Sequence, residues 1–268
     1  MNKSLFRSWA VILLVGAAFC IDGVVCGLDT ASVVTKTYTL QKTVYLTPEK
    51  NDSLYLDLQY AYPTAISAHD SVLQSIQTQI KTELFGEAFA DMRPDHALSA
   101  YAALNHTQYI QDNQPLADEW GDKEHGSAFC EELIIRAEPV GVANGILSYA
   151  EDIYSYTGGA HGMSICLVKN YSLATGQSVH EEDLFIDDYF EPLCGMLVEA
   201  LIHQIENADT ERELRKLGYS VEDIVPNDNF FVSEEGITYV YMPYEIAPYA
   251  LGRTDIFIPW SVLGSVLK

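Results

Sequence analysis

Val34-Thr35-Lys36-Thr37-Tyr38-Thr39-Leu40 and, after the polar break Lys50-Asn51-Asp52, Leu54-Tyr55-Leu56-Asp57-Leu58-Gln59-Tyr60 both alternate with a period of two. Val34, Lys36, Tyr38 and Leu40 are expected on one face, with Thr35, Thr37, Thr39 and Gln41 on the other and the run continuing to Leu46. Such alternation is the pattern of half-buried strands. The period then changes. Val72, Leu73, Ile76, Ile80 and Leu84 mark one stripe of a helix that His69-Asp70 would cap, and Pro94 opens a second helix to about Tyr109 in the favoured first-turn position. Two strands followed by two helices point to α+β rather than to strict alternation around a parallel sheet.

The rest of the chain repeats this block order. The polar stretch 113–126, with Pro115 and Gly121, reads as a boundary loop. Phe129 to Ala137, Ile146 to Tyr156 and Met163 to Tyr171 read as strands, and Asp188 to Asn207 as a helix with Leu193, Leu197, Leu201 and Ile205 at i, i+4 spacing. Thr210 caps a short charged helix ending at Gly218. Phe230 to Ser233 and Ile237 to Tyr241 flank Glu234-Glu235-Gly236 as a hairpin; Ile256 to Ile258 is a last strand and Pro259 to Leu267 a closing helix. The expectation is an α+β protein of largely antiparallel sheets with packed helices, in two small tandem subdomains at residues 33–130 and 140–268.

The N-terminus suggests export. Lys3 and Arg7 precede the apolar run Ala10 to Phe19, and Asp22 interrupts that run at about half the roughly 20 residues a membrane-spanning helix needs. Residues 1–26 are therefore expected to be a signal peptide, with a periplasmic or outer-envelope location. A lipid anchor at Cys20 or Cys26 is the alternative and the one route to a membrane. Only nine residues precede the apolar run, so no cytoplasmic segment is expected. The chain carries a formal charge of −23, and removal of the leader would leave it more negative. Nucleic acid would be repelled and a cationic partner attracted. Export would permit one bridge among Cys130, Cys166 and Cys194, but their wide spacing names no pair; no CxxC is present, so no zinc site is indicated.

Two local sequences stand out chemically. Gly158-Gly159-Ala160-His161-Gly162 puts three glycines around a histidine, allowing positive φ and close approach. Met242-Pro243-Tyr244-Glu245-Ile246-Ala247-Pro248-Tyr249 places tyrosines on a proline-fixed corner, the material of a recognition surface. His69, His96, His106, His125, His180 and His203 are scattered without metal-ligand spacing, His180-Glu181-Glu182-Asp183 reads as an acidic helix start, and GxSxG, SxxK and P-loop motifs are absent. No catalytic residue, metal ligand or cofactor is assigned. The candidate binding residues are Tyr156, Gly158, Gly159, His161, Tyr244, Glu245 and Tyr249.

These pieces carry a resemblance. Tyr154 to Gly162, Asn170…Leu173-Ala174-Thr175-Gly176-Gln177, Asp183-Leu184-Phe185, Gly236-Ile237-Thr238, Pro243 to Ala250, Gly252 and Ile258-Pro259-Trp260 are similar to the RsiV-type C-terminal domain (domain of unknown function 3298) over residues 140–268. Residues 34–130 more weakly resemble its companion N-terminal domain (domain of unknown function 4163). In that family one member is an anti-sigma factor whose extracellular part binds lysozyme, and another carries both domains ahead of a peptidoglycan deacetylase. The resemblance implies a non-enzymatic envelope binding module for a lysozyme-like cationic protein or cell-wall glycan. The alternatives are a cell-wall hydrolase using His161 with a carboxylate such as Glu245, and a purely structural envelope protein.

Overall fold

The two alternating stretches pair with each other. The computed structural model describes residues 22–26, 32–46, 52–121 and 126–268. The expected signal peptide, as far as residue 21, and Cys20 lie outside them. Strands β1 (Asp22–Cys26), β2 (Ser32–Tyr45) and β3 (Ser53–Ile66) are antiparallel neighbours, and β3 then runs parallel to β4 (Glu131–Ala143). A parallel pair needs a crossover, which helices α1 (Asp70–Phe85) and α2 (Pro94–Trp120) supply. The antiparallel strands β5 (Ile146–Thr157) and β6 (Met163–Ser172) complete a sheet of order β1-β2-β3-β4-β5-β6. Helices α3 (Glu181–Leu184), α4 (Phe190–Gln204) and α5 (Glu211–Leu217) lead into a second, antiparallel sheet of β7 (Phe230–Val232), β8 (Gly236–Tyr241) and β9 (Thr254–Pro259), closed by α6 (Trp260–Leu263). The α+β class holds.

The first core is the expected one: Leu54, Leu56, Leu58 and Tyr60 of β3 are buried with Val72, Ile76, Ile80 and Leu84 of α1. In β2 the expected faces change at a bulge. Pairing slips from Val34↔Ala65 to Thr35↔Pro63, leaving Thr64 unmatched, so Val33 and Thr35 are buried at one end while Tyr38 and Leu40 pack on the core further along. The largest correction concerns 113–126, which is helical up to Trp120 rather than a loop. Tyr109, Asn113 and Ala117, spaced by four, are all buried, and Asn113 donates from Nδ2 to the Tyr109 carbonyl (3.0 Å) and to Glu131 (2.7 Å). This packing outweighs the local preference of Asn113 and Pro115 against helix.

The second core sets Leu193, Leu197 and Leu201 of α4 against Phe230, Ile237, Tyr239, Ile256 and Ile258. The closing helix is shorter than expected and ends at Leu263; beyond it Val266 is buried and Leu267 bridges to Phe185. The first core runs from Val33 to Leu173 and the second begins at Ala143, so the two meet along β4–β6 and the large sheet crosses the 130–140 segment. Polar side chains join the sheets there. Ser148 Oγ donates to Asn170 Oδ1 (2.6 Å) and accepts from Val232 N–H (2.9 Å), while Asn170 donates to the Phe230 carbonyl (2.7 Å). Asn229 accepts from Val168 N–H (2.7 Å) and donates to the carbonyls of Cys166 (3.0 Å) and Val240 (2.9 Å), standing in for a strand between them. Gly141 completes the seam, since a Cβ there would lie 2.9 Å from the Val232 carbonyl.

Cys130, Cys166 and Cys194 are thiols rather than disulfides, and burial pushes buried Cys166 up to about 12. Among the described residues no helix is long and apolar enough to cross a membrane, and no group of three or more His, Cys, Asp or Glu side chains is gathered to hold a metal ion.

Candidate functional site

The turn between β5 and β6 is built on its glycines. Gly158 and Gly159 adopt φ of 83° and 95°, and a Cβ on Gly158 would approach the Ala128 carbonyl to 3.0 Å. Both conditions favour glycine. Tyr156 ties the turn down, its hydroxyl donating to the Gly159 carbonyl (2.8 Å) and lying 2.9 Å from Ser127 Oγ. At the far side the Gly162 backbone lies across the Tyr154 ring, where a Cβ would come within 2.5 Å of it and the ring would have to shift. His161, between these anchors, is exposed, with Nδ1 3.1 Å from the Gly162 carbonyl.

A second turn reaches the same place from the β8–β9 connection. Met242 N–H donates to the Glu245 carboxylate, Tyr244 N–H to the Ala247 carbonyl (2.9 Å), and Glu245 N–H to the Met242 carbonyl (3.1 Å). Buried Ile246 and Ala247 fix the turn in the second core. Tyr244 consequently sits at φ 75°, a left-handed conformation costing a side-chain-bearing residue about 1–2 kcal/mol, and its side chain is 60% exposed. Tyr249 joins the two turns by donating its hydroxyl to the Gly162 carbonyl (3.0 Å). Its ring lies between the others: His161 stacks at 4.5 Å and 27°, and Tyr244 at 5.6 Å and 29°. Each aromatic pair is worth about 0.5–1.5 kcal/mol beyond its buried area.

Most of the sequence-derived candidates therefore converge. His161, Tyr249 and Tyr244 form one ladder over the glycine turn that Tyr156 anchors. Glu245 closes its own turn and His161 Nδ1 faces its neighbour's carbonyl, so each is engaged locally. Beside the ladder runs a groove of about 410 Å³ between the start of β6 and residues 249–253, lined among others by Asp152, Ser164, Met242, Leu251 and Arg253. Arg253 donates to Asp255 through Nε (2.6 Å) and Nη2 (2.7 Å) and reaches Asp152 at 3.5 Å. The hydrogen bond to Asp255 raises its already high pKa, so it remains a fixed cation. Tyr154 is pushed up by burial and then by Glu132. Sequence reasoning passed over Asp152, Ser164 and Arg253. The two-residue period of β5, which sets Asp152, Tyr154 and Tyr156 on one face, was the available signal for Asp152.

Residues 182–261 match the family model described as protein of unknown function (DUF3298). The likeness to that family lies in the C-terminal region. Tyr244, Glu245, Tyr249 and Arg253 lie within the matched residues, and the Gly158–Gly162 turn precedes them. A crystal structure of a DUF3298 family member from Bacteroides fragilis superposes with a TM-score of 0.83 at 26% identity, covering 88% of this chain and 94% of that one. A DUF3298 family protein from Pseudomonas aeruginosa shares the fold at 16% identity, with a TM-score of 0.57 over 87% of this chain and 94% of that one. No curated protein matches the sequence.

Proposed function

We propose that this protein is an exported, non-enzymatic binding module of the cell envelope that takes a cationic protein such as lysozyme on its Tyr244–Tyr249–His161 face. The observation that carries the reading is Tyr244. The fold holds this residue at φ 75° with its ring exposed and braced from behind by Tyr249. Strain maintained around an outward-facing aromatic side chain supports a contact role, because the single stack with Tyr249 at most offsets it and leaves the ring mostly exposed. The formal charge of −23 steers a basic protein toward it. The export pattern of residues 1–26 and the resemblance to RsiV-type domains support an envelope location. The weaker sequence resemblance of residues 34–130 to the companion 4163-type domain supports the same reading.

Calorimetric titration of the protein, lacking residues 1–26, with lysozyme at moderate salt tests this reading, with muropeptides titrated in parallel. Saturable binding of lysozyme, weakening as salt rises, is expected. Binding of muropeptides alone would transfer the site to cell-wall glycan, and binding of neither would end the proposal.

A further inference from the structure

Along the free edge of β6 each outward residue from Cys166 to Ser172 makes at least one backbone bond, and Ser164 makes none among the described residues. Residues two apart on an edge strand turn their backbone groups outward together. Along β6 the outward residues include Asn170, whose carbonyl accepts from Val179 N–H (2.8 Å), and Val168, whose N–H is held by Asn229. At Cys166 the N–H meets Met242 Sδ (2.9 Å) and the carbonyl meets Asn229. The same alternation makes Ser164 the next outward residue. Its backbone N–H and C=O face the groove beside the aromatic ladder, and among the described residues neither has a partner.

We infer that this open end of β6 is a docking point for an extended, lysine-bearing segment of a partner protein, which pairs with Ser164 as a short added strand. One residue of such a segment donates its N–H to the Ser164 carbonyl and accepts from the Ser164 N–H, the two-bond exchange of an antiparallel pair. Its neighbours then meet the groove wall of Met242, Tyr249 and Leu251. Asp152 supplies the preference for lysine. It is exposed at the rim, where it lies beside the Cys166 thiol and contacts Arg253 at 3.5 Å, and its exposed carboxylate can accept a further cationic side chain. The inference rests on the same face being the binding surface, but it assigns the backbone of Ser164 as the contact and an extended strand as the partner's shape.

Proline provides the test, because an edge strand tolerates it where the N–H points outward. Ser164→Pro removes that one donor while the bonds to β5, carried by the flanking residues, remain; Ser164→Ala keeps the backbone intact. The probe is a capped hexapeptide of alternating lysine and valine, followed by amide chemical shifts of the full chain. The expected result is a saturable shift of the Ser164 amide, unchanged affinity in Ser164→Ala, and a loss of roughly tenfold or more in Ser164→Pro. An unperturbed Ser164 amide, or equal affinity in Ser164→Pro, overturns the inference. Should Ser164→Pro fail to fold, slowed hydrogen exchange at Ser164 on addition of peptide decides it in the unaltered protein. A protein that binds the peptide through Ser164 yet ignores lysozyme keeps this contact and loses the partner proposed above.

Discussion

Asp228 and Tyr244 are both side-chain-bearing residues at positive φ, 56° and 75°, in turns that flank the small sheet. At Asp228 the conformation is offset locally. Its N–H donates to Glu181 Oε1 (2.7 Å), Oδ1 accepts from Glu181 N–H (2.9 Å), and Oδ2 pairs with His180 Nδ1 (2.5 Å). Its N–H and both carboxylate oxygens thus clamp the loop before β7 onto α3. At Tyr244 the backbone is bonded, but the ring goes outward, where it gains one stacking partner and stays exposed. The same backbone conformation thus builds the fold in one turn and presents a contact group in the other.

Asp228→Ala is expected to have the largest effect on stability, about 3 kcal/mol of loss, because it strips partners from His180 and from the N–H of Glu181. Thermal denaturation measures it. If the loss stays near zero, the clamp is decorative and the contrast with Tyr244 collapses.

Two buried carboxylates extend the comparison. Glu181 is 6% exposed and fully engaged, with Tyr189 (2.9 Å) as a further donor. Glu151 is 2% exposed and its Oε1 has no partner, so burial and then the nearby Glu83 push it up to about 7, against a smaller opposing effect of Lys169. The folded state therefore holds a proton on Glu151 that the unfolded chain releases near 4.5, and stability falls as pH rises between those values. Glu151→Gln is expected to stabilise by about 2 kcal/mol at pH 8 and hardly at all at pH 4, a difference that chemical denaturation at the two pH values reads directly.

Glycine at position 244 should separate presentation from folding. Tyr244→Gly relieves the positive φ and removes one stacked ring, so stability changes by no more than about 1 kcal/mol while partner binding is lost. A fall in stability like that of Asp228→Ala would show that Tyr244 is structural. The smallest effect belongs to His180, whose pKa is raised chiefly by its hydrogen bond to Asp228 against partial burial. Its contribution is fully present below about 6.5, the ordinary histidine value, and is lost as pH rises through the elevated folded value. His180 is half exposed, which holds this to less than about 1 kcal/mol; the pH dependence of the melting temperature should lose that component in His180→Ala.

Much of the fold was legible because single elements carry their own periodicity. The stripes of α1 and α4 and the alternation of β3 name their buried residues directly. The end of α2 was not legible, since Asn113 and Pro115 disfavour helix locally and only contact with Glu131 and the sheet keeps them there. Thr64 escaped for the same reason: a bulge is visible only once two strands are registered. At the site, glycine and proline punctuation exposed both turns. What sequence could not supply was their meeting, which depends on a bond between Tyr249 and Gly162 across 87 residues, or the roles of Asp228 and Ser164, which arise from tertiary pairing.

The central claim is that the Tyr244 ladder is a contact surface for a basic protein. Calorimetric titration of lysozyme into the unaltered protein and into Tyr244→Ala tests it most directly. The account predicts saturable binding to the first and at least roughly tenfold weaker binding to the second, with matching melting temperatures to within a few degrees. Equal affinity for the two proteins would contradict it.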